Sequence, residues 1–238
     1  MDAQFIRDMA REVLRELYVR RYEVWAYPPF PLEMIEPSII ARLLGVRYEE
    51  PEEIYYPVSD AFEEPRYYQI AGLMDPEKNV IAVAGNLRPD VRRFTAAHEI
   101  GHYVLHANQS KVLFRDHPLS GTERLHRNRP PVEKEADLFA AELLMPERPL
   151  RDAFHAYFGV ETLVGVRPSE DLASWLSYGT NRVVTLRTLQ TAGSRYLALL
   201  ISESLPWRGQ PPLPPLYRLF RVSKLAMAIQ LQSLGLVS

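Results

Sequence analysis

No cysteine occurs anywhere in the 238 residues. That excludes disulfides, thiolate zinc sites, iron–sulfur clusters and cysteine nucleophiles, and it is compatible with a reducing compartment. Long apolar runs are also missing: stretches such as 197–201 fall far short of the about 20 residues that a membrane helix needs. The first residues carry alternating charge rather than a basic stretch followed by an apolar one, so no signal peptide is expected and the protein is read as cytoplasmic. A dominant charge of either sign is absent too. With 28 Lys+Arg against 30 Asp+Glu, the net charge is −2 and the pI about 6.3. The whole chain therefore lacks the electrostatic footprint of an unspecific nucleic-acid or acidic-membrane binder, although local basic patches remain compatible with it. Lysine is scarce, limited to Lys78, Lys111, Lys134 and Lys224. That bias and the 20 prolines do not speak to function.

What is present is the composition of an ordinary globular protein, 47% hydrophobic and 24% charged. A chain of this length buries a core without metal or disulfide staples, so a bound metal should serve chemistry. Residues 3–20 place Phe5, Met9, Val13 and Leu17 four apart, flanked by Ile6 and Leu14, which predicts an amphipathic helix. A proline cluster at 28–31 ends it. A helix over 38–44, a short strand over 46–48 and an acidic loop over 49–65 follow. Strand-like runs at 66–73 and 79–84 flank a Met-Asp-Pro-Glu-Lys turn and predict a hairpin. Next come a helix over 89–106, a polar stretch over 107–131 that reads as a lid-like loop, and a helix over 132–145. Beyond it, helices are expected near 148–158 and 169–178, with Ser169 as N-cap. Strand-like runs lie at 182–190 and 195–202, a proline-rich linker at 206–215, and a last helix over 223–234 before Gly235.

The chemistry concentrates in His98-Glu99-Ile100-Gly101-His102, an H-E-x-x-H sequence inside a helical run. Residues four apart on a helix lie on nearly one face, about 6 Å apart along the axis, so two imidazoles converge on one ion. Zinc accepts two neutral imidazoles and a carboxylate and keeps a position open for water, which it acidifies. Glu99, about 100° round the helix, is then placed to act as general base without being a ligand. A chance match in a polar helix is the bland alternative. The second helix weighs against it, because Glu133 and Asp137 again lie four apart. Glu133 suits a third ligand, and Asp137 suits the carboxylate that accepts a hydrogen bond from a ligating histidine and fixes its tautomer. Glu135 points about 200° away and is the weaker candidate.

Two segments together resemble the ImmA/IrrE family of bacterial metallopeptidases. They are His98 through His106, preceded by Arg93-Phe94-Thr95-Ala96-Ala97, and Glu133-Lys134-Glu135-Ala136-Asp137 running on to Leu143-Leu144-Met145-Pro146. The resemblance covers roughly 30–150 and implies an α+β, zincin-like domain in which the H-E-x-x-H helix packs on a small sheet. It implies His98, His102 and Glu133 as ligands of Zn²⁺, with Mn²⁺ or Fe²⁺ as other borderline ions, and Glu99 as general base. Where many members have Asn, this chain has Asp137. The family also implies cytoplasmic cleavage of a helix-turn-helix repressor in a stress or mobile-element response, and some members are discussed as parts of toxin–antitoxin pairs. The expected organisation is a metallopeptidase domain over 1–150 and an additional α/β region over 151–238, helix-turn-helix-like at 216–238.

The remaining candidates carry less. His106 lies one turn beyond His102, about 12 Å along the axis from His98, and reads as a packing histidine. His126 in the long loop, or Tyr103, is a candidate stabiliser of the oxyanion formed on an attacked amide. His117 and the loop arginines Arg124, Arg127 and Arg129 read as solvated. The last helix offers only Lys224 and glutamines toward a DNA groove, so Leu225, Ile229 and Leu231 are expected to pack in the core and direct DNA contact is disfavoured. The prolines at 211–215 read as a stiff linker rather than a polyproline ligand. The rival function is a non-proteolytic or toxin–antitoxin interaction protein that uses 151–238 to bind a partner or DNA; an intact Glu99 favours the enzyme, because binding alone needs no general base.

Overall fold

The computed structural model describes residues 1–58, 66–106, 113–116, 130–206 and 213–238. The chain divides into two compact units, Met1–Leu144 and Met145–Ser238. The first begins with α1 (Ala3–Val19), whose buried stripe is Ile6, Ala10, Val13, Leu14 and Leu17. Phe5 is half exposed, so the stripe lies one residue further round than the fourfold spacing from Phe5 suggested. Short helices α2 (Arg21–Val24) and α3 (Pro31–Met34) lead to α4 (Pro37–Leu43), which carries proline at its first position. Gly45 leaves that helix at φ +80°, where a side chain would be strained.

The sheet has five strands: β1 (Arg47–Glu49), β2 (Ile54–Val58), β3 (Arg66–Asp75), β4 (Val80–Val83) and β5 (Leu113–Asp116). Its order is β1-β4-β3-β2, with β5 also paired to β3. The pair β1–β4 is parallel, and β2, β4 and β5 all run antiparallel to β3. The expected hairpin is β3–β4, and its turn closes as anticipated: Asp75 Oδ1 accepts from the Lys78 backbone N–H at 3.0 Å, and Asn79 takes φ 51°. Strand β2 corrects the expectation of an acidic loop over 49–65. Its Ile-Tyr-Tyr-Pro-Val sequence is rich in strand formers, and Pro57, which lacks an N–H, is tolerated because β2 ends the strand order. Strand β5 likewise occupies part of the segment expected to be an uninterrupted loop.

Two helices complete the unit, α5 (Pro89–Leu105) and α6 (Pro131–Leu144). A nearly continuous run from Thr95 to His102 is buried in α5 because the helix is covered on several sides: α6, β3, β4 and α4 all pack on it. Small residues make this possible. Gly101 lies where a Cβ would come within 3.2 Å of the Ala136 backbone and 3.1 Å of Phe139, so only glycine lets α5 and α6 approach this closely. Helix α1 packs on α6, where the buried carboxylate of Glu142 accepts from Arg11 at 3.1 Å.

The second unit is helical throughout its described residues: α7 (Glu147–Phe158), α8 (Glu170–Thr180), α9 (Leu186–Thr191), α10 (Ser194–Glu203), α11 (Leu216–Leu219) and α12 (Lys224–Ser233). The expected α/β character of 151–238 is therefore corrected. The strand-like runs 182–190 and 195–202 form α9 and α10, the first capped by the Thr185 hydroxyl, which accepts from Thr188 N–H. Only an isolated bridge joins Leu163 and Val237 among these described residues. Ser169 caps α8 as expected, Ser223 caps α12, and Gly159 and Gly235 follow α7 and α12 at positive φ. The core is built from Leu150, Phe154, Leu176, Ile201, Met227 and Leu231, with Trp175 edge-on to Phe158. No helix among the described residues is long and apolar enough to cross a membrane.

Candidate metal centre

Helix periodicity places His98 and His102 on one face of α5, and the Gly101 contact brings α6 against that face. Glu133 in the first turn of α6 then reaches both histidines. Its Oε2 lies 3.2 Å from His98 Nε2 and its Oε1 lies 3.2 Å from His102 Nε2, while the two Nε2 atoms are 3.0 Å apart. One ligand atom from each of His98, His102 and Glu133 falls within 4.8 Å of the others. One turn along α6, Asp137 Oδ1 sits 2.9 Å from His98 Nδ1. An ionised carboxylate only accepts, so Nδ1 carries the proton and the Nε2 lone pair faces Glu133 and His102.

The electrostatics favour the protonation states a cation needs. Burial pushes the His102 imidazolium down, more than the Glu133 carboxylate raises it, so the ring is held neutral. Burial opposes ionisation of Glu133, but its close contacts with His102 and His98 outweigh that and hold its carboxyl well below the usual carboxylate range. Two neutral imidazole nitrogens and a carboxylate crowd together with a shortage of protons to share. This donor set fits Zn²⁺ or another borderline divalent ion.

Glu99 is fully buried beside the cluster. Strand β3 makes room for its carboxylate at Gly72, where a Cβ would stand 2.7 Å from Thr95 Cγ2, 3.1 Å from Glu99 Oε1 and 3.2 Å from the Ala82 carbonyl. Gly72 and Gly101 are the site residues that motif reading missed. A glycine inside a helix or strand run, at a cost in stability, was the available signal of a close backbone approach.

Other expected residues fall elsewhere. Tyr103 donates its hydroxyl to the Leu44 carbonyl at 3.3 Å, at the end of α4. His106 is buried, with its ring 5.5 Å from that of His102 and its Nε2 3.6 Å from Glu135 Oε2, a packing position. Glu135 also pairs with the Met1 amine and takes no part in the three-ligand cluster. His126, His117, Arg124, Arg127 and Arg129 lie outside the described residues.

Residues 58–173 match the model of the IrrE N-terminal-like domain, a peptidase family. That segment includes both α5 and α6. Over 76 residues the chain is 41% identical to the radiation response metalloprotease IrrE of Deinococcus radiodurans, an alignment that covers 32% of this chain and 22% of that protein. The similarity to that relative thus spans less than a quarter of its length. The matched segment contains the two-helix cluster, so over this part of the chain the comparisons support the resemblance to the ImmA/IrrE family.

Proposed function

We propose that this protein is a zinc-dependent endopeptidase of the cytoplasm that cleaves a specific protein substrate, a helix-turn-helix transcriptional repressor, in a stress or mobile-element response. The observation that carries the peptidase reading is the convergence of His98, His102 and Glu133 beside the buried Glu99. The family match and the name of the Deinococcus relative support the protease class and the stress response. His98, His102 and Glu133 would hold the ion, which when bound supplies Lewis acidity to a carbonyl and acidifies water. Asp137 holds the Nδ1 proton of His98 and so keeps its Nε2 available. Glu99 takes a proton from the attacking water and later delivers it to the leaving amine. Burial of Glu99 and the histidines keeps bulk water from competing for those protons.

Elemental analysis of the purified protein beside Glu133→Ala and Glu99→Gln variants, matched for folding by circular dichroism, tests the site. About one zinc per chain is expected in wild type and Glu99→Gln and none in Glu133→Ala. Metal retained without Glu133 would reject the ligand assignment. Co-expression with candidate helix-turn-helix repressors tests the substrate. Fragments that appear with wild type and not with Glu99→Gln support the reading, whereas fragments with both variants point to another protease.

A further inference from the structure

The near-neutral total charge hides a division. Unit Met1–Leu144 carries 24 acidic and 18 basic residues, and unit Met145–Ser238 carries six acidic and ten basic. From 172 onward seven basic residues face a single acid, Glu203. That one carboxylate is already engaged by Arg182 at 3.1 Å and by Lys224. Lys224 also stands over the Tyr217 ring, 5.4 Å from its centre, and Arg218 donates to the Tyr217 hydroxyl at 2.9 Å. These contacts collect Arg182, Arg218 and Lys224 at the N-terminal end of α12, and Arg221 occupies the turn just before it at φ 56°.

The outward face of α12 continues from this basic end as an aliphatic strip. Leu225 and Ile229, one turn apart, are 53% and 44% exposed, which corrects the expectation that both pack in the core. Met227, Ala228 and Leu231 take the buried side instead. A helix in this position of a helix-turn-helix would read base edges with hydrogen-bonding side chains, and Leu225 and Ile229 supply none. Adjacent exposed aliphatics framed by cations suit a protein surface that is apolar and acidic.

The chain itself contains such a surface, within the first unit. On the outer end of the sheet, β2 and β3 pair Pro57 with Tyr67 and Tyr55 with Gln69, so Tyr55, Pro57, Tyr67 and Gln69 share one face. Tyr55 and Tyr67 are 55% and 66% exposed. The exposed carboxylates Glu49, Glu50, Glu52 and Glu53 lead into that strand; Arg47 lies 2.9 Å from Glu49 and Arg92 3.8 Å from Glu50, and Glu52 and Glu53 carry the rest of the negative charge.

We propose that the Leu225–Ile229 face of α12, framed by Arg218, Arg221 and Lys224, docks the acidic, tyrosine-bearing β2/β3 surface of a second copy of this chain. Each molecule carries both halves of the contact, so a second copy supplies the surface that each half fits. The inference is independent of the metal chemistry.

Sedimentation velocity over a range of protein concentrations, at low and high salt, tests it on the full chain. Wild type is expected to form a dimer that weakens as salt rises. A Leu225→Glu, Ile229→Glu variant and a Tyr55→Ala, Tyr67→Ala variant should each weaken association by roughly tenfold or more, with unchanged far-ultraviolet circular dichroism because all four side chains are exposed. An equimolar mixture of the two variants should regain one mixed contact and dimerise more strongly than either alone. That recovery separates pairing of unlike surfaces from self-pairing of either. A wild-type chain that stays monomeric throughout overturns the proposal, as does dimerisation indifferent to both variants. A monomer that binds a fluorescent DNA duplex with a steep salt dependence, lost in an Arg218→Ala, Lys224→Ala variant, would assign the face to nucleic acid instead.

Discussion

The first unit turns its decisive charges inward and the second turns them outward. In Met1–Leu144, Glu99 and the two histidines are fully buried, and Glu133 and Asp137 complete a cluster that packing holds together. In Met145–Ser238 the excess charge is positive, clustered at a helix end and bordered by exposed Leu225 and Ile229. Buried polar groups tolerate little change because each one lost leaves another unpaired, while surface charges are screened and individually weak. Substitutions in the first unit should therefore abolish chemistry, and those in the second should shift association or stability.

The largest separation should come from Glu99→Gln. Loss of a general base costs on the order of 10²–10⁴ in rate, and because Glu99 is outside the proposed ligand set the variant should keep its zinc. Turnover of an identified substrate, measured beside zinc content, checks both halves. A Glu99→Gln protein that loses its metal would show Glu99 to be part of the cluster's cohesion and would undo the distinction between ligand and base.

Asp137→Ala should follow, with metal affinity lowered by roughly 10–100-fold, the usual consequence of removing a carboxylate that orients a ligating histidine. Competition with a chelating dye measures it. An Asp137→Asn variant should recover part of the loss, since the amide oxygen still accepts from His98 Nδ1. Equal affinities in all three proteins would leave Asp137 an ordinary half-buried helix charge.

The inward unit was the more readable of the two because its pattern is set by local covalent geometry. On a helix, His98 with His102 and Glu133 with Asp137 share faces whatever the fold, so two i,i+4 pairs announce a site before any tertiary structure is known. What the spacing does not contain is the approach of the two helices, which depends on Gly101 lying against the Ala136 backbone. Strand β2 escaped notice because Pro57 and the preceding glutamates look like a loop until β3 supplies the partner. In the second unit, α10 carries Leu197, Leu199, Leu200 and Ile201 almost consecutively, and such a short apolar run fits strand and helix equally. Helix α12 has apolar residues at 225 to 229 and 231, nearly all round, so no single stripe indicates which side is covered. Contact across the fold, rather than local propensity, decided each of these.

Gly72→Ala probes the same inward packing with a smaller effect. The new methyl would meet Thr95 Cγ2 at 2.7 Å and Glu99 Oε1 at 3.1 Å, an overpacking that typically costs about 1–3 kcal/mol. Thermal melting should show the loss. Adding Thr95→Ser removes the methyl in closest conflict and should recover a measurable part of it, a coupling expected only of side chains in contact. Strictly additive effects of the two substitutions would place the strain elsewhere, against Ala82 or the strand itself.

The mildest test lies in the second unit. Tyr157 in α7 is buried and donates its hydroxyl to the Pro214 carbonyl at 2.7 Å, and burial pushes the phenol from its ordinary value of 10.0 up to about 12. The folded state thus prefers the neutral ring. Its contribution is fully present below pH 10, the unfolded value, and is lost as pH rises through the folded value near 12. Urea unfolding of wild type at pH 8 and pH 11 should differ by about 1 kcal/mol more than that of Tyr157→Phe, which keeps the ring and removes the proton. The substitution should at the same time cost roughly 1 kcal/mol at pH 8 through the lost hydrogen bond. If wild type and variant weakened equally between the two pH values, Tyr157 would ionise as freely in the folded unit as in the unfolded chain. The anchoring of Pro214 to α7 would then be too loose to count among the contacts that hold this helical unit together.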